Sequence, residues 1–293
     1  MKKSKKLVFF GTEHFSVPGL QKLIDGGWPV AAVVTKPDFR AGRGQKLTEP
    51  AVKLLAKRHG LAVWQPDSLP QISHRLAELR PDLGVLVAYG KIIPQAVIEL
   101  FPKGIVNVHP SLLPQYRGPS PIETAILNGD RQTGLSIMAL TAGLDEGPLY
   151  AQKKIKVPAD TDGPAFSRYL AAAGADLLID TLPGVLNGSI EPKAQDNSMA
   201  TYTKLLKKED GHINWHRPAI QLERQVRAFL AWPRSRAKVF GHEIIITKAR
   251  VAKNQTDGAL VMKANPGYLE ILQLIAPSGK QMSGGDFKRG YLA

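Results

Sequence analysis

The 293-residue chain contains no cysteine. That absence removes disulfide frameworks, thiolate nucleophiles and cysteine-ligated metals, and it fits a reducing, cytoplasmic compartment. Any catalysis must therefore use oxygen and nitrogen groups. Long apolar runs are lacking too. Stretches such as 83–89 and 244–246 fall well short of the ~20 residues a membrane-spanning helix needs, so no membrane partner is expected. Lys2-Lys3-Ser4-Lys5-Lys6 begins like a signal peptide, but the apolar run that follows breaks at Gly11 and no small-residue cleavage site comes after it. The segment reads instead as a lead-in to a first strand. The seven histidines show no H-E-x-x-H spacing, and His212 and His216, one helical turn apart, have no carboxylate between them, so no metal is expected. Acidic residues are scarce, with 25 Asp+Glu against 39 Lys+Arg, a net charge of +14.

What is present is enough hydrophobic residue, 43%, for real cores, and enough length for two domains. The basic excess is uneven. From Lys204 onward 16 Lys+Arg face 7 Asp+Glu, a net +9, which leaves 23 against 18, or +5, for the first 203 residues. A concentrated basic excess points to a polyanionic partner, most often nucleic acid.

Apolar periodicity switches repeatedly between two and 3.6. It predicts strands at 6–10, 30–34, 61–64, 83–88, 104–108 and 134–140. Helices are predicted at 15–24, 50–59, 72–79, just after Pro94, at 121–128 and at 163–186. This is an α/β pattern: a Rossmann-like, mostly parallel sheet with helices on both faces, whose ligand lies beyond the carboxyl ends of the strands. A polar stretch with Asn187-Gly188-Ser189 and Pro192 follows. After a helical segment at 218–229 come short β-like runs at 237–240, 243–250, 259–263 and 268–275, the pattern of a small OB-like β-barrel. The expected domains are residues 1–188, a linker at 189–207, and a C-terminal domain at 208–293.

The chemistry-bearing stretch is "NVHPSLLPQYRG", Asn107 to Gly118. Asn107 and His109 lie two residues apart at a predicted strand end and so share a face. An amide can donate to a carbonyl oxygen that is gaining negative charge, and an imidazole can move a proton near neutral pH, which together suit acyl transfer. A third group is expected from Gly143-Leu144-Asp145-Glu146-Gly147, where glycines allow a tight loop. Asp145 is the choice to orient His109, with Glu146 pointing away.

Residues 107–147 resemble the signature of folate-dependent formyltransferases, which carry Asn-x-His-Pro-Ser-Leu-Leu-Pro and a later Gly-Leu-Asp in this order. "TKPDFRAGRGQKL" (35–47) and "KLLKKEDGHINW" (204–215) extend the likeness over nearly the full chain. Where the family commonly has Arg-Pro, this chain has Phe39-Arg40, and Glu146 and Pro148 stand where Thr and Asp are usual. The resemblance implies 10-formyltetrahydrofolate as donor and the methionine amine of initiator methionyl-tRNA as acceptor. It carries Asn107, His109 and Asp145 over as the catalytic trio and Ser111, Leu112, Leu113 and Pro114 as folate-contacting. It also suggests that backbone groups near Lys91 and Ile93, and from Ala139 to Gly143, read the pterin edge. An apolar slot of Leu86, Ile92 and Ile93 would suit a flat heterocycle.

The trio cannot choose the amine, because related transferases share its chemistry. Lys36, Arg40, Arg43 and Lys46 put four cations in a short loop with Gly42 and Gly44 on the active-site edge, which suits an RNA end drawn into a pocket. The basic C-terminal region would hold the RNA backbone. The alternatives are an amino-sugar formyltransferase and a non-catalytic RNA-binding relative. A monomer is expected.

Overall fold

In the computed structural model, which describes residues 5–41 and 44–292, the alternation read from the sequence is present from the start. β1 (Leu7–Gly11), α1 (Val17–Asp25) and β2 (Val30–Val34) lead into a hairpin of β3 (Phe39–Ala41) and β4 (Lys46–Thr48). Then come α2 (Ala51–Arg58), β5 (Val63–Trp64), α3 (Ser73–Leu79), β6 (Leu83–Val87), α4 (Gln95–Ile98) and β7 (Ile105–His109). α5 (Pro121–Asn128), β8 (Gln132–Ala139), β9 (Leu149–Lys156) and the long α6 (Gly163–Asn187) follow.

Seven strands form one sheet in the order β5-β2-β1-β6-β7-β8-β9. From β5 through β7 the neighbours are parallel. β8 runs antiparallel to β7 and sets Met138 opposite Asn107 and Ser136 opposite His109. Strand residues alternate between faces, and β1 shows both faces covered: Val8 and Phe10 join a core with Leu76, Val97 and Phe101, while Phe9 lies against Gly19 of α1. Strand order reverses between β1 and β6, so a crevice opens beyond their carboxyl ends. Across it the Thr12 hydroxyl donates to the Tyr89 carbonyl at 2.9 Å.

Three elements depart from the expectation. β9 extends the sheet beyond β8, although its Gln-Lys-Lys-Ile-Lys reads as polar; lysines are common on an edge strand, where they discourage pairing with another chain. The basic loop is a hairpin, its two short strands in register from Phe39–Thr48 to Ala41–Lys46. Counting uninterrupted apolar runs also underrates α6. Over its 25 residues it is long and apolar enough to cross a membrane, but 61% of its most apolar window is buried within the fold, with Leu170, Leu178 and Leu182 inaccessible.

Beyond α6 lie α7 (Ala219–Ala228), β10 (Ser235–Val239), β11 (His242–Ala252), β12 (Val261–Lys263), β13 (Tyr268–Ile275), β14 (Gln281–Ser283) and α8 (Gly284–Tyr291). The five strands make an antiparallel sheet in the order β10-β11-β13-β12, with β14 also paired to β13. Its core gathers Val226, Val239, Ile244, Ile246, Leu274 and Phe287. α8, unexpected from its two leading glycines, is capped by the Ser283 hydroxyl, which accepts from the Asp286 N–H at 3.1 Å.

The chain divides into two compact units. One holds the described residues up to Gly118 together with Gly134–Ile155 and Arg168–Tyr202; the other holds Pro119–Thr133, Lys156–Ser167 and the residues from Thr203 onward.

Candidate active site

β7 delivers Asn107 and His109 to the carboxyl edge of the sheet, both at least nine-tenths buried. The Asn107 side chain makes no hydrogen bond among the described residues, so its amide is available to a ligand. His109 is held on two sides. Its Nε2 lies 2.9 Å from the Tyr116 carbonyl oxygen. That oxygen can only accept, so Nε2 carries a proton and donates it. Nδ1 then faces the Asp145 carboxylate at 3.6 Å, an ion-pair separation longer than a hydrogen bond.

Asp145 sits in the loop after β8 with φ of 49°, a left-handed conformation that aspartate tolerates better than most residues. Its carboxylate also accepts the Gly118 N–H at 2.8 Å. The neighbouring Glu146 is exposed, as expected. Gly147 has no alternative: a Cβ there would overlap the Ala139 carbonyl oxygen. The three residues expected to act together are thus brought together. An unpartnered amide, an imidazole and a carboxylate at one strand edge can stabilise an oxyanion and relay a proton.

The sequence reading missed what lies behind them. Arg117, 1% exposed, donates from Nη2 to Gln195 Oε1 at 2.8 Å and to Asn197 Oδ1 at 2.6 Å. Gln195 Nε2 donates in turn to the carbonyls of Asp145 at 2.8 Å and Gly147 at 2.7 Å. Arg117 stands inside the conspicuous 107–118 stretch, but nothing near Gln195 in sequence marks it.

The residues expected at the donor divide between side chain and backbone. Ser111 is fully buried and its hydroxyl donates to the Gln115 carbonyl at 2.5 Å. Gln152 Nε2 donates to the Leu113 carbonyl at 2.8 Å, and the Leu113 N–H donates to Ser136. The Ser111-Leu112-Leu113-Pro114 turn is therefore fixed from behind. Lys91 Nζ donates to the carbonyls of Pro66 and Asp67 at 3.0 and 2.7 Å, and Ile93 belongs to the core, which leaves their backbones for a ligand. Of the proposed slot, Leu86 packs on that core and Ile92 is 88% exposed. In 139–143 the Ala139 N–H already donates to Pro148, whereas the Thr141 hydroxyl is buried with no partner among the described residues, an orphaned polar atom that suits a heteroatom-rich ligand. Gly143 lies under the Glu146 carboxylate.

Of the four basic residues, Lys36 stands apart from the hairpin, its ammonium against Gly90 just past β6. Arg40 and Lys46 are exposed on the hairpin, and Arg40 donates to the Gln45 carbonyl at 3.2 Å. Arg43 lies outside the described residues. Within the C-terminal unit a groove of about 1580 Å³ is lined by Arg131, Lys156, Arg224, Arg227, Lys248 and Arg250, along with four acidic residues.

A mostly parallel sheet bearing an amide, an imidazole and a carboxylate at its carboxyl edge is an arrangement that suits acyl transfer. Residues 5–182 match the formyl transferase family model and 205–292 match the model of the formyl transferase C-terminal domain, so the chain belongs to the formyl transferase family. The resemblance read from residues 107–147 is borne out. Among curated proteins it is 41% identical to the methionyl-tRNA formyltransferase of Roseiflexus castenholzii, covering 98% of this chain and 96% of that one. The methionyl-tRNA formyltransferase of Chloroflexus aggregans is 40% identical over 97% of each chain. Among solved structures, the N-formyltransferase from Helicobacter canadensis with folinic acid and dTDP-3-aminofucose has a TM-score of 0.71 at 19% identity, covering 91% of this chain and 98% of that one. HypX from Aquifex aeolicus with tetrahydrofolic acid has a TM-score of 0.66 at 17% identity; it covers 98% of this chain, which spans 48% of HypX. At such identities these structures share the fold.

Proposed function

We propose that this chain, in the cytoplasm, transfers the formyl group of 10-formyltetrahydrofolate to the α-amino group of methionine on initiator tRNA, in support of translation initiation. The observation that carries this reading is about 40% identity to methionyl-tRNA formyltransferases over 97–98% of the chain, C-terminal unit included. In this reading the amine attacks the formyl carbon, and the oxygen of the tetrahedral intermediate takes hydrogen bonds from the Asn107 amide and from a proton on His109 Nδ1. Asp145 orients the imidazole and, through water, passes the amine's proton to the folate nitrogen that leaves. The turn at 111–114, the backbone at Lys91 and Ile93, and the segment from Ala139 to Gly143 with the orphaned Thr141 hydroxyl hold the donor. The hairpin cations and, separately, the net +9 of the residues from Lys204 onward offer phosphate contacts to the acceptor RNA, a charge that an amino-sugar acceptor would not call for.

The test is incubation of the full chain with 10-formyltetrahydrofolate and methionine-charged initiator tRNA, followed by release and separation of the amino acid. Formylmethionine should accumulate, and His109→Ala should slow it by at least ~100-fold. No formylmethionine alongside formylation of an amino-sugar nucleotide overturns the acceptor assignment. A donor left intact with every acceptor favours a non-catalytic RNA-binding relative.

A further inference from the structure

The two residues that brace His109, Tyr116 through its carbonyl and Asp145 through its carboxylate, both have left-handed backbones, with φ of 59° and 49°. For a residue other than glycine that conformation is unfavourable and persists only where the surroundings impose it. One segment, 195–201, imposes both. The Tyr116 N–H donates to the Thr201 hydroxyl at 2.8 Å, and the Arg117 N–H donates to the Thr201 carbonyl at 2.9 Å. On the other flank, Gln195 Nε2 ties the carbonyls of Asp145 and Gly147. The buried Arg117 guanidinium joins the two flanks, because Gln195 Oε1 accepts from its Nε at 3.2 Å and from its Nη2. Gly118, next in the chain, donates to Asp145 itself. Among the described residues the imidazole's polar partners are Tyr116 and Asp145, and no hydrogen bond runs to it from the strap.

We infer that the strap from Gln195 to Thr201, cross-linked by Arg117, is the positioning device for the His109–Asp145 pair, with Gln195 as its working residue. It holds Tyr116 and Asp145 in conformations they would otherwise leave, so that the imidazole keeps its orientation during turnover. The inference rests on the reading of His109 and Asp145 as the catalytic pair.

Gln195→Glu isolates the function. It keeps an oxygen to accept from Arg117 and removes both N–H donors to the Asp145 loop. Formylation kcat should fall at least ~10-fold, while KM for donor and tRNA should move less than ~3-fold, because the Gln195 side chain is engaged by the Asp145 loop and Arg117 and acts through the catalytic pair. In an Asp145→Asn background the same substitution should cost less than ~2-fold, since the carboxylate it positions is already gone. Thr201→Val, which removes only the hydroxyl that accepts from Tyr116, should lower kcat by ~3-fold or more. It decides the matter if Gln195→Glu does not fold. Undiminished kcat in the variant measured, or a loss of equal size with and without Asp145, overturns the strap. Full turnover by Asp145→Asn alone overturns the reading of the catalytic pair instead.

Discussion

Tyr89 shows what a single residue can carry unused. It is 1% exposed, its ring meets Phe10 edge-on at 5.9 Å, and its hydroxyl finds no partner among the described residues. Burial pushes the phenol up to about 12. A buried hydroxyl without a partner is a cost that phenylalanine of the same shape avoids. Tyr89→Phe should therefore stabilise the protein by about 1 kcal/mol near neutral pH, a Tm rise of roughly 2 °C by calorimetry. The folded-state phenol titrates above its unfolded value, so the wild type should also lose stability as pH rises from about 10 to 12, and the variant should lose less. A lower Tm for the variant would mean that a water or ligand satisfies the hydroxyl. At this scale the sequence was legible where neighbours in the chain are neighbours in space. Asn107 and His109 follow from the two-residue strand period, and Asp145 from its flanking glycines. Arg117 and Gln195, 78 residues apart, meet only through the fold, and no local pattern encodes their pairing.

Among elements, the β3–β4 hairpin is fastened at both roots by one lysine. Lys53, in α2, bonds both carboxylate oxygens of Asp38 at 2.8 and 2.7 Å and lies 2.9 Å from Glu49, which also pairs with Lys57. Burial works against the Lys53 ammonium, but hydrogen bonds to Asp38 and Glu49 outweigh it and hold its pKa above the usual lysine value. Asp38 is held low by Gln65 and then Lys53, and Glu49 by Lys57 and then Lys53. Depressed carboxylates contribute stability above their unfolded values, near 4, and lose it as pH falls through the lower folded values. The roots should thus be firm at neutral pH and loosen below about pH 4. At pH 8, Lys53→Met should make trypsin cut at Arg40 or Lys46 roughly tenfold faster, read by mass spectrometry, with the rest of the chain resistant. An unchanged rate would show that the ion pairs do not fasten the hairpin. Elements misread from sequence share a cause: β3, β4 and β9 are edge or isolated strands with many exposed residues, and α8 begins with two glycines, so neither periodicity nor propensity announces them. The buried strands β1, β6 and β7 were legible within a residue or so because both faces demand apolar side chains.

For the whole molecule the governing quantity is charge. A net +14, with +9 after residue 203, gives a polyanion many counterion-releasing contacts. If four to six phosphates are neutralised, the logarithm of the affinity for uncharged initiator tRNA should fall linearly with the logarithm of salt, with a slope of about −3 to −5. Donor affinity, measured in parallel, should change far less. Salt-insensitive tRNA binding would remove the polyanion argument and favour a small amino-sugar acceptor.

The two compact units are not consecutive in the chain, which passes between them five times. α5 and residues 156–167 are made long before the β-strands of the unit they belong to, and Arg224 and Arg227 of α7 later bond back to the carbonyls of Asn128 and Thr161. During synthesis those early pieces must wait on the ribosome while 96 and 66 further residues, respectively, emerge before these partners exist. For the same reason the C-terminal unit is not a cassette: a graft cut at a single junction would leave α5 behind, and exchange between relatives would have to carry three segments at once.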